Sequence, residues 1–348
     1  MASKTGADTN LILKQGATYG TAVEGVSGDK IILESATPSI SVTVGESNNI
    51  GAGLSMVKDV DKLQTDYNIS ITQQARYQDA GLSRIMALFM GASTASPAEQ
   101  NVGEGDYLHR ITHSATANKF CTIAYDGSST EPIEYPSCYC SSVTIETGNT
   151  PGYLSYTAEF IANDQDITSP VNDTVALAAA TAEGDKKIVH SVTAGSFWIN
   201  GQADGALDSG DAINPDTVTI SYSKPLVKIN TFGASSVIKD GLFDATITCT
   251  FPSLEALTWF TANNAGTLYK ALFKVEGEII GAGDPYTAAF YFPKLKVVEV
   301  PQYELADSGI NPLTVVFKAL AADSNPTGMN SVYPYAEFIN ERPTAIIS

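Results

Sequence analysis

Alternation of apolar and polar positions with a period of two dominates the chain. Runs such as Ser39–Val44 (SISVTV), Tyr67–Gln74 (YNISITQQ), Ser141–Thr147 (SSVTIET), Asp216–Ser223 (DTVTISYS), Ala245–Phe251 (ATITCTF), Tyr286–Phe292 (YTAAFYF) and Leu313–Leu320 (LTVVFKAL) are rich in β-branched and aromatic residues. Gly, Asn, Asp and Pro separate them. Many short strands punctuated by turn residues predict a mainly β chain built as sandwiches or barrels. A helical period surfaces in few places. Ala80–Met90 (AGLSRIMALFM) places Leu82, Ile85, Met86 and Phe89 on one face, with Asp79 as the expected N-cap. Leu254–Asn263 (LEALTWFTAN) follows Pro252 and Ser253, which suit a helix start. Val175–Ala182 (VALAAATA) is a weaker third candidate.

The same strand is written twice. Gly152, Thr157, Phe160 and Ala162 recur as Gly309, Thr314, Phe317 and Ala319, each at an offset of 157, and Pro136 recurs as Pro293. The parity recurs too. Leu154, Tyr156, Ala158 and Phe160 form the apolar set of the first copy; Leu313, Val315, Phe317 and Ala319 form that of the second. One face of each copy is therefore expected in a core and the other in water. Each expected major helix also follows a strand and precedes further strands. The pattern predicts two similar β-sandwich or barrel domains in tandem, each with one flanking helix. The first spans residues 1–165 and the second 190–323. Residues 166–189 form a linker or packed connector, and 324–348 form a C-terminal arm that packs on something, a neighbouring subunit being one option.

Charge narrows the function classes. The chain of 348 residues carries 20 Lys and Arg against 38 Asp and Glu, a net charge of −18. Such a surface repels phosphate backbones, so sequence-specific nucleic-acid binding is not expected, although DNA passing without adhesion is compatible with it. No apolar run approaches the ~18 residues of a membrane helix. The opening MASKTGADTN lacks the apolar stretch of a secretory signal. A soluble protein in a cytosol-like compartment is expected, with Cys121, Cys138, Cys140 and Cys249 reduced and serving as small packing residues.

Candidate chemistry is sparse. His109 and His113 have a spacing that on a helix suits zinc, but their surroundings read as strand and no Glu follows the first, so surface or packing roles are expected. There is no G-x-S-x-G elbow and no Gly-rich phosphate loop. Asp204–Asp216 is dense in Asp but lacks the spacing and closing Glu of an EF-hand. Trp198 and Trp259 are expected as core or interface anchors, with sugar stacking as the minor reading. No catalytic, cofactor-binding or metal residues are assigned, and no enzyme activity or cofactor is expected.

Three stretches carry a resemblance to a known family. Leu11–Gly25 (LILKQGATYGTAVEG), the hairpin sequence SSVTIETGNTPGYLSYTAEFIAND, and SGINPLTVVFKALAAD near the end resemble elements of phage tail tube proteins. The resemblance covers most of the chain in diffuse patterns, not in a catalytic signature. It implies tail-tube-like domains of two packed sheets with a flanking helix, assembling into stacked rings whose inner strands join around a lumen. It also implies a virion tail protein assembled in the host cytoplasm, with DNA passing through its bore. The doubled length implies the duplicated-domain variant, in which three chains make a pseudo-six-fold ring. The implied partners are copies of the chain itself and other tail proteins such as tape measure and terminator, with no membrane. Segments around Val143–Ile161 and Val300–Ala319 would supply lumen strands or the adjacent hairpin, and the acidic excess would keep the bore slippery to DNA. The alternative is a β-sandwich carbohydrate-binding or virion decoration module.

Overall fold

The computed structural model describes residues 9–46, 60–114, 119–127, 131–148, 151–190, 195–231, 234–239, 241–252, 258–299 and 312–347. The protein is mainly β, with a large antiparallel sheet and three helices among these residues. They are α1 (Leu82–Met90), α2 (Thr174–Ala179) and α3 (Thr258–Ala265).

Two runs of strands pair in the same order. In the first, Leu11–Gln15 pairs with Cys121–Tyr125, which pairs with Ile133–Glu146, then Ser155–Ala162, Val60–Gln74 and Ser35–Glu46. In the second, Gly195–Gly201 pairs with Leu268–Ile279, then Pro285–Glu299, Leu313–Ala319, Asp244–Phe251 and Thr217–Ser223. By position along the chain, both runs read first, fourth, fifth, sixth, third, second. α1 and α3 occupy the same slot, between the third and fourth strands. Each run even adds a two-residue strand, Lys30–Ile31 or Ala212–Ile213, to its first strand. The runs are joined edge to edge, because Ser142–Glu146 pairs with Thr219–Ser223. One hydrophobic cluster accordingly draws on both.

The Ile133–Glu146 strand changes partner midway. Up to Cys138 it pairs with Cys121–Tyr125, and from Cys138 onward with Ser155–Ala162. The switch falls at Pro136–Ser137, where Ser137 takes φ 56, a value rare for a residue with a side chain. Its Oγ accepts the Gly20 N–H at 2.8 Å, which ties the N-terminal loop to the bend.

One expectation changes on contact with the structure, and two segments whose role the sequence leaves open take a definite place. Asp79 does not cap α1: Gly81 is the N-cap, and the Asp79 carboxylate instead accepts the Gly81 N–H (2.8 Å) and Gln73 Nε2 (2.9 Å). Residues 166–189 take the packed of the two alternatives. Asn172 and Ile188 are buried, and α2 begins at Asp173, whose side chain accepts the Val175 and Ala176 N–H groups. The C-terminal arm folds onto its own chain. Tyr335–Asn340 forms a strand between Thr287–Tyr291 and Tyr107–His113, and the Tyr335 ring stacks on Tyr291 at 4.5 Å. For the second major helix, the expected cap Ser253 and the residues through Leu257 lie outside the described residues; so do residues 301–311 of the expected hairpin.

Candidate assembly interface

The Ser35–Glu46 strand pairs with Val60–Gln74 on one side and with no described strand on the other. Its alternate residues Ile40, Val42 and Val44 share the parity that faces the core, yet they are 52%, 46% and 51% exposed. A long edge with an apolar row is a template for pairing; Pro38 and the register shift between Thr43 and Val44 blunt it only locally, and the row stays bare. The row has a counterpart in the second run. Ser35 lies opposite Thr72 and Thr72 opposite Thr157; Thr217 lies opposite Thr250 and Thr250 opposite Thr314. Thr157 and Thr314 are the repeated pair, so Ser35 corresponds to Thr217 and Ile40 to Tyr222.

Tyr222 is fully buried. It lies opposite Val143 of the first run, and its ring sits 6.2 Å from Phe89, 6.1 Å from Phe243 and 6.2 Å from Phe292. Phe89 belongs to α1, so Tyr222 is a knob by which the second run plugs into the first. Lys224 completes the joint. Its Nζ donates to the Phe89 carbonyl at 3.2 Å, at the C-terminal end of α1 where a cation is favoured. The Leu226–Thr231 and Ala234–Lys239 hairpin then reaches further across the first run: Lys228 Nζ donates to the Thr65 and Asn163 carbonyls at 2.8 and 3.0 Å.

The helices differ in the same sense. Every residue of α1 is buried, whereas in α3 only Ala262 is, and Trp259 and Phe260 are half-buried. Beside α3 lies a cavity of about 450 Å³ lined by Ile199, Ile213, Phe251, Trp259, Tyr269 and Leu313 among others. The chain therefore has an uncovered apolar strand in its first run and a partly bare helix in its second. These are the two halves of the joint that Tyr222 and α1 complete internally.

The other sequence candidates fall apart as sites. His109 and His113 lie on the Tyr107–His113 strand. His109 is buried, its Nε2 bonds the Arg342 carbonyl at 2.9 Å, and burial pushes its pKa down to about 4. His113 stacks on Phe243 at 4.9 Å. All four cysteines are free and buried, and burial pushes the Cys140 and Cys249 thiols up. In the Asp-rich turn, Asp204 accepts the Gly201 N–H, Asp208 the Gly210 N–H, and Asp211 the Asn200 amide, so each carboxylate serves its own loop. Trp259 stacks on Phe251 and meets Tyr269 and Phe317 edge-on. Among the described residues no group of three or more His, Cys, Asp or Glu is placed to hold a metal ion. No described helix is long and apolar enough to cross a membrane.

Asp79 is the one strongly perturbed carboxyl in the connection before α1. It is buried, and desolvation raises its pKa to about 6 despite the Gly81 N–H, Gln73 and the nearby Arg76 and Arg84. The folded chain holds this proton more tightly than the unfolded chain does. The resulting stabilisation is full below about pH 4 and is lost as pH rises through about 6, amounting to about 3 kcal/mol. Asp79→Asn is expected to flatten that part of the profile. Urea midpoints of both proteins at pH 4.5 and 7.5 check it; equal pH dependence would refute the assignment.

No protein-family model matches the chain, and no curated protein matches it. The sequence pattern locates the strands SISVTV and DTVTISYS and places Phe89 on the apolar face of α1, but it does not show that Tyr222 and Phe89 meet at a joint. The available signal was the position of Tyr222 in the second copy of a strand whose first copy carries Ile40.

Proposed function

We propose that this chain is the structural subunit of a bacteriophage tail tube, made of two tail-tube-like β domains in tandem. Three chains close a pseudo-six-fold ring, rings stack, and the hollow tube conducts DNA. Other tail proteins, tape measure and terminator among them, meet it at the tube's interior and end, and it resides in the virion. The observation that carries this reading is the joint between the two runs. A unit that docks its second strand and the following arm onto the preceding unit's sheet and helix leaves one bare strand and one bare helix. Repeating the same step between chains covers both, and a heterologous contact of this kind closes only as a ring or continues as a filament. Fully burying an Ile or Val contributes roughly 1.5–3 kcal/mol, and Ile40, Val42 and Val44 are each about half-way there already. Catalysis is no part of the proposal, since the joint is purely geometric.

Negative-stain microscopy of the concentrated protein tests it. Rings with a central hole and three chains each are expected. Rings of six chains would keep the tube and remove the trimer. A monodisperse single chain at high concentration would remove the reading.

A further inference from the structure

Lys270, on the Leu268–Ile279 strand, is completely buried. Its Nζ pairs with no described carboxylate. It donates to two backbone carbonyls, Asp204 at 2.8 Å and Thr327 at 3.2 Å, whereas an ammonium has three donors. Asn200 of the Gly195–Gly201 strand lies directly opposite. The next pair along, Ile199 and Ala271, turns into the core, so Asn200 and Lys270 share the other face. Loop 202–211 and the turn at Thr327 and Gly328 close over them, and a Cβ on Gly328 would fall 2.9 Å from that of Ala206. Asn200 Nδ2 donates to the Gly205 carbonyl at 3.3 Å and to Asp211 Oδ2 at 3.0 Å. The two side-chain nitrogens therefore hang on consecutive carbonyls of one turn. Asn200 Oδ1 is buried and has no hydrogen-bond partner. A buried ammonium held by carbonyls alone and an orphaned amide oxygen on the facing residue are both costly. A hydrogen bond between them would relieve both, and the structure has none.

We propose that the folded chain joins Lys270 to Asn200 through an isopeptide bond of its own making. Side chains directly opposite in an antiparallel pair start from Cβ atoms about 5 Å apart, a gap that the lysine stem spans. The neutral Nζ attacks Cγ of Asn200. A Cγ–Nζ bond forms, the Cγ–Nδ2 bond breaks, and Nδ2 leaves as ammonia with one hydrogen taken from Nζ. An amine and a primary amide thus give a secondary amide and ammonia, and the step needs no oxidant, reductant or cofactor. Asp211 Oδ2 already touches the leaving nitrogen and relays the proton to it. Burial lowers the Lys270 pKa and favours the amine that attacks, although the nearby Asp204 and Asp211 charges oppose this. The product removes the buried charge and leaves a neutral amide in its place. It also ties the first strand of the second run covalently to its neighbour, so that this strand cannot slide or peel away. The bond belongs to the single chain and does not depend on ring assembly.

Mass spectrometry of the purified full chain, incubated folded until its mass is constant and then denatured, tests this. The chain should be lighter than its sequence by about 17 Da, the mass of ammonia. Tryptic mapping should yield a branched peptide that joins the segments carrying Asn200 and Lys270 and is uncut after Lys270. Separate segments, with cleavage after Lys270, would overturn the proposal. A rival reaction releases ammonia from the same residue: the Gly201 nitrogen can attack Asn200 Cγ to give a succinimide, although that N–H is tied to Asp204 Oδ2 at 3.0 Å. Lys270→Arg keeps a cation but cannot form the bond, and it should have its full sequence mass. A loss of ammonia that persists in Lys270→Arg, on a linear peptide, would identify the succinimide and overturn the isopeptide. Asp211→Asn should slow the joining, and an unchanged rate would remove Asp211 from the mechanism. The map of the unmodified chain decides the bond by itself, so a variant that fails to fold leaves the test intact.

Discussion

Ile40→Lys is expected to give a chain that folds normally and no longer forms rings. In the single chain Ile40 is 52% exposed on an edge with no described partner, so a lysine there keeps its ammonium in water and costs about 0.5 kcal/mol or less. In the proposed ring the position would take the slot at the joint that Tyr222 fills, fully buried, inside the chain. An ammonium has no partner in such a pocket, and burying it unpaired costs several kcal/mol at every joint between chains. Velocity sedimentation should show one species at the mass of a single chain, with an unchanged thermal midpoint. Ile40→Leu, which keeps the apolar character, should assemble. Rings from Ile40→Lys protein at the unmodified concentration would show that this edge is not the joint. The corresponding change in the second run, Tyr222→Lys, should behave differently and destabilise the chain itself, because its joint forms during folding.

That contrast marks what was legible in the sequence. The parity of Tyr156, Ala158 and Phe160 and of Leu313, Val315 and Phe317 predicts two half-buried strands, and all six residues are buried. Period-two alternation is local and survives any topology. The spatial order of the strands is not local. Val60–Gln74 finds its place beside Ser155–Ala162 across more than 80 positions of chain, and nothing within either strand specifies the other. The same limit hid the free edge. SISVTV and TVTISYS have the same alternation, and only the fold leaves Ile40 bare and covers Tyr222.

The one error, and the two segments whose role stays open in the sequence, have local causes. Asp79 has the residue type and spacing of an N-cap, but its carboxylate turns back on the Gly81 N–H and Gln73, and the helix starts later. The C-terminal arm shows too little alternation to be read as a strand, since Tyr335–Asn340 is short and ends in a buried Asn. Asn340 Nδ2 donates to the distant Tyr77 carbonyl at 2.9 Å, and its Oδ1 accepts the Arg342 N–H at 3.0 Å. The connector before residue 190 is polar, which leaves a linker and a packed connector both open. Its polarity is spent on contacts: Asn172 Nδ2 donates to the Val23 carbonyl at 3.0 Å, and Glu134 accepts the Asn172 N–H at 3.0 Å.

Arg84→Met should be the most destabilising of the substitutions considered that leave the sheet itself intact. Arg84 is one of nine buried residues of α1, and its Nη1 donates to Asp29 at 2.6 Å and to the Leu13 carbonyl at 2.8 Å. Asp29 is itself only 2% exposed and also takes Lys14 Nζ and the Val26 N–H, both at 2.8 Å. Methionine preserves much of the stem but removes the charge, and the partly exposed Lys14 is then the only cation bonded to a buried carboxylate. Breaking a buried pair from one side costs about 3–5 kcal/mol when the remaining ion is left alone; Lys14 still meets Asp29 here, so the loss falls toward or below the lower end, and removing both charges costs less again. Urea denaturation should therefore place Arg84→Met well below the unmodified chain and the double variant Asp29→Asn/Arg84→Met between them. A double variant no better than the single one would mean that Arg84 acts through packing alone. The effect should also reach the assembly. Arg84 anchors the start of α1 to the Leu11–Gln15 strand, while Phe89 at its other end receives Tyr222 and Lys224. A helix that is free to shift at Arg84 presents a displaced socket at Phe89. Ring formation by Arg84→Met should accordingly fail at a lower temperature than its sheet unfolds, an order that circular dichroism and light scattering on one sample would reveal.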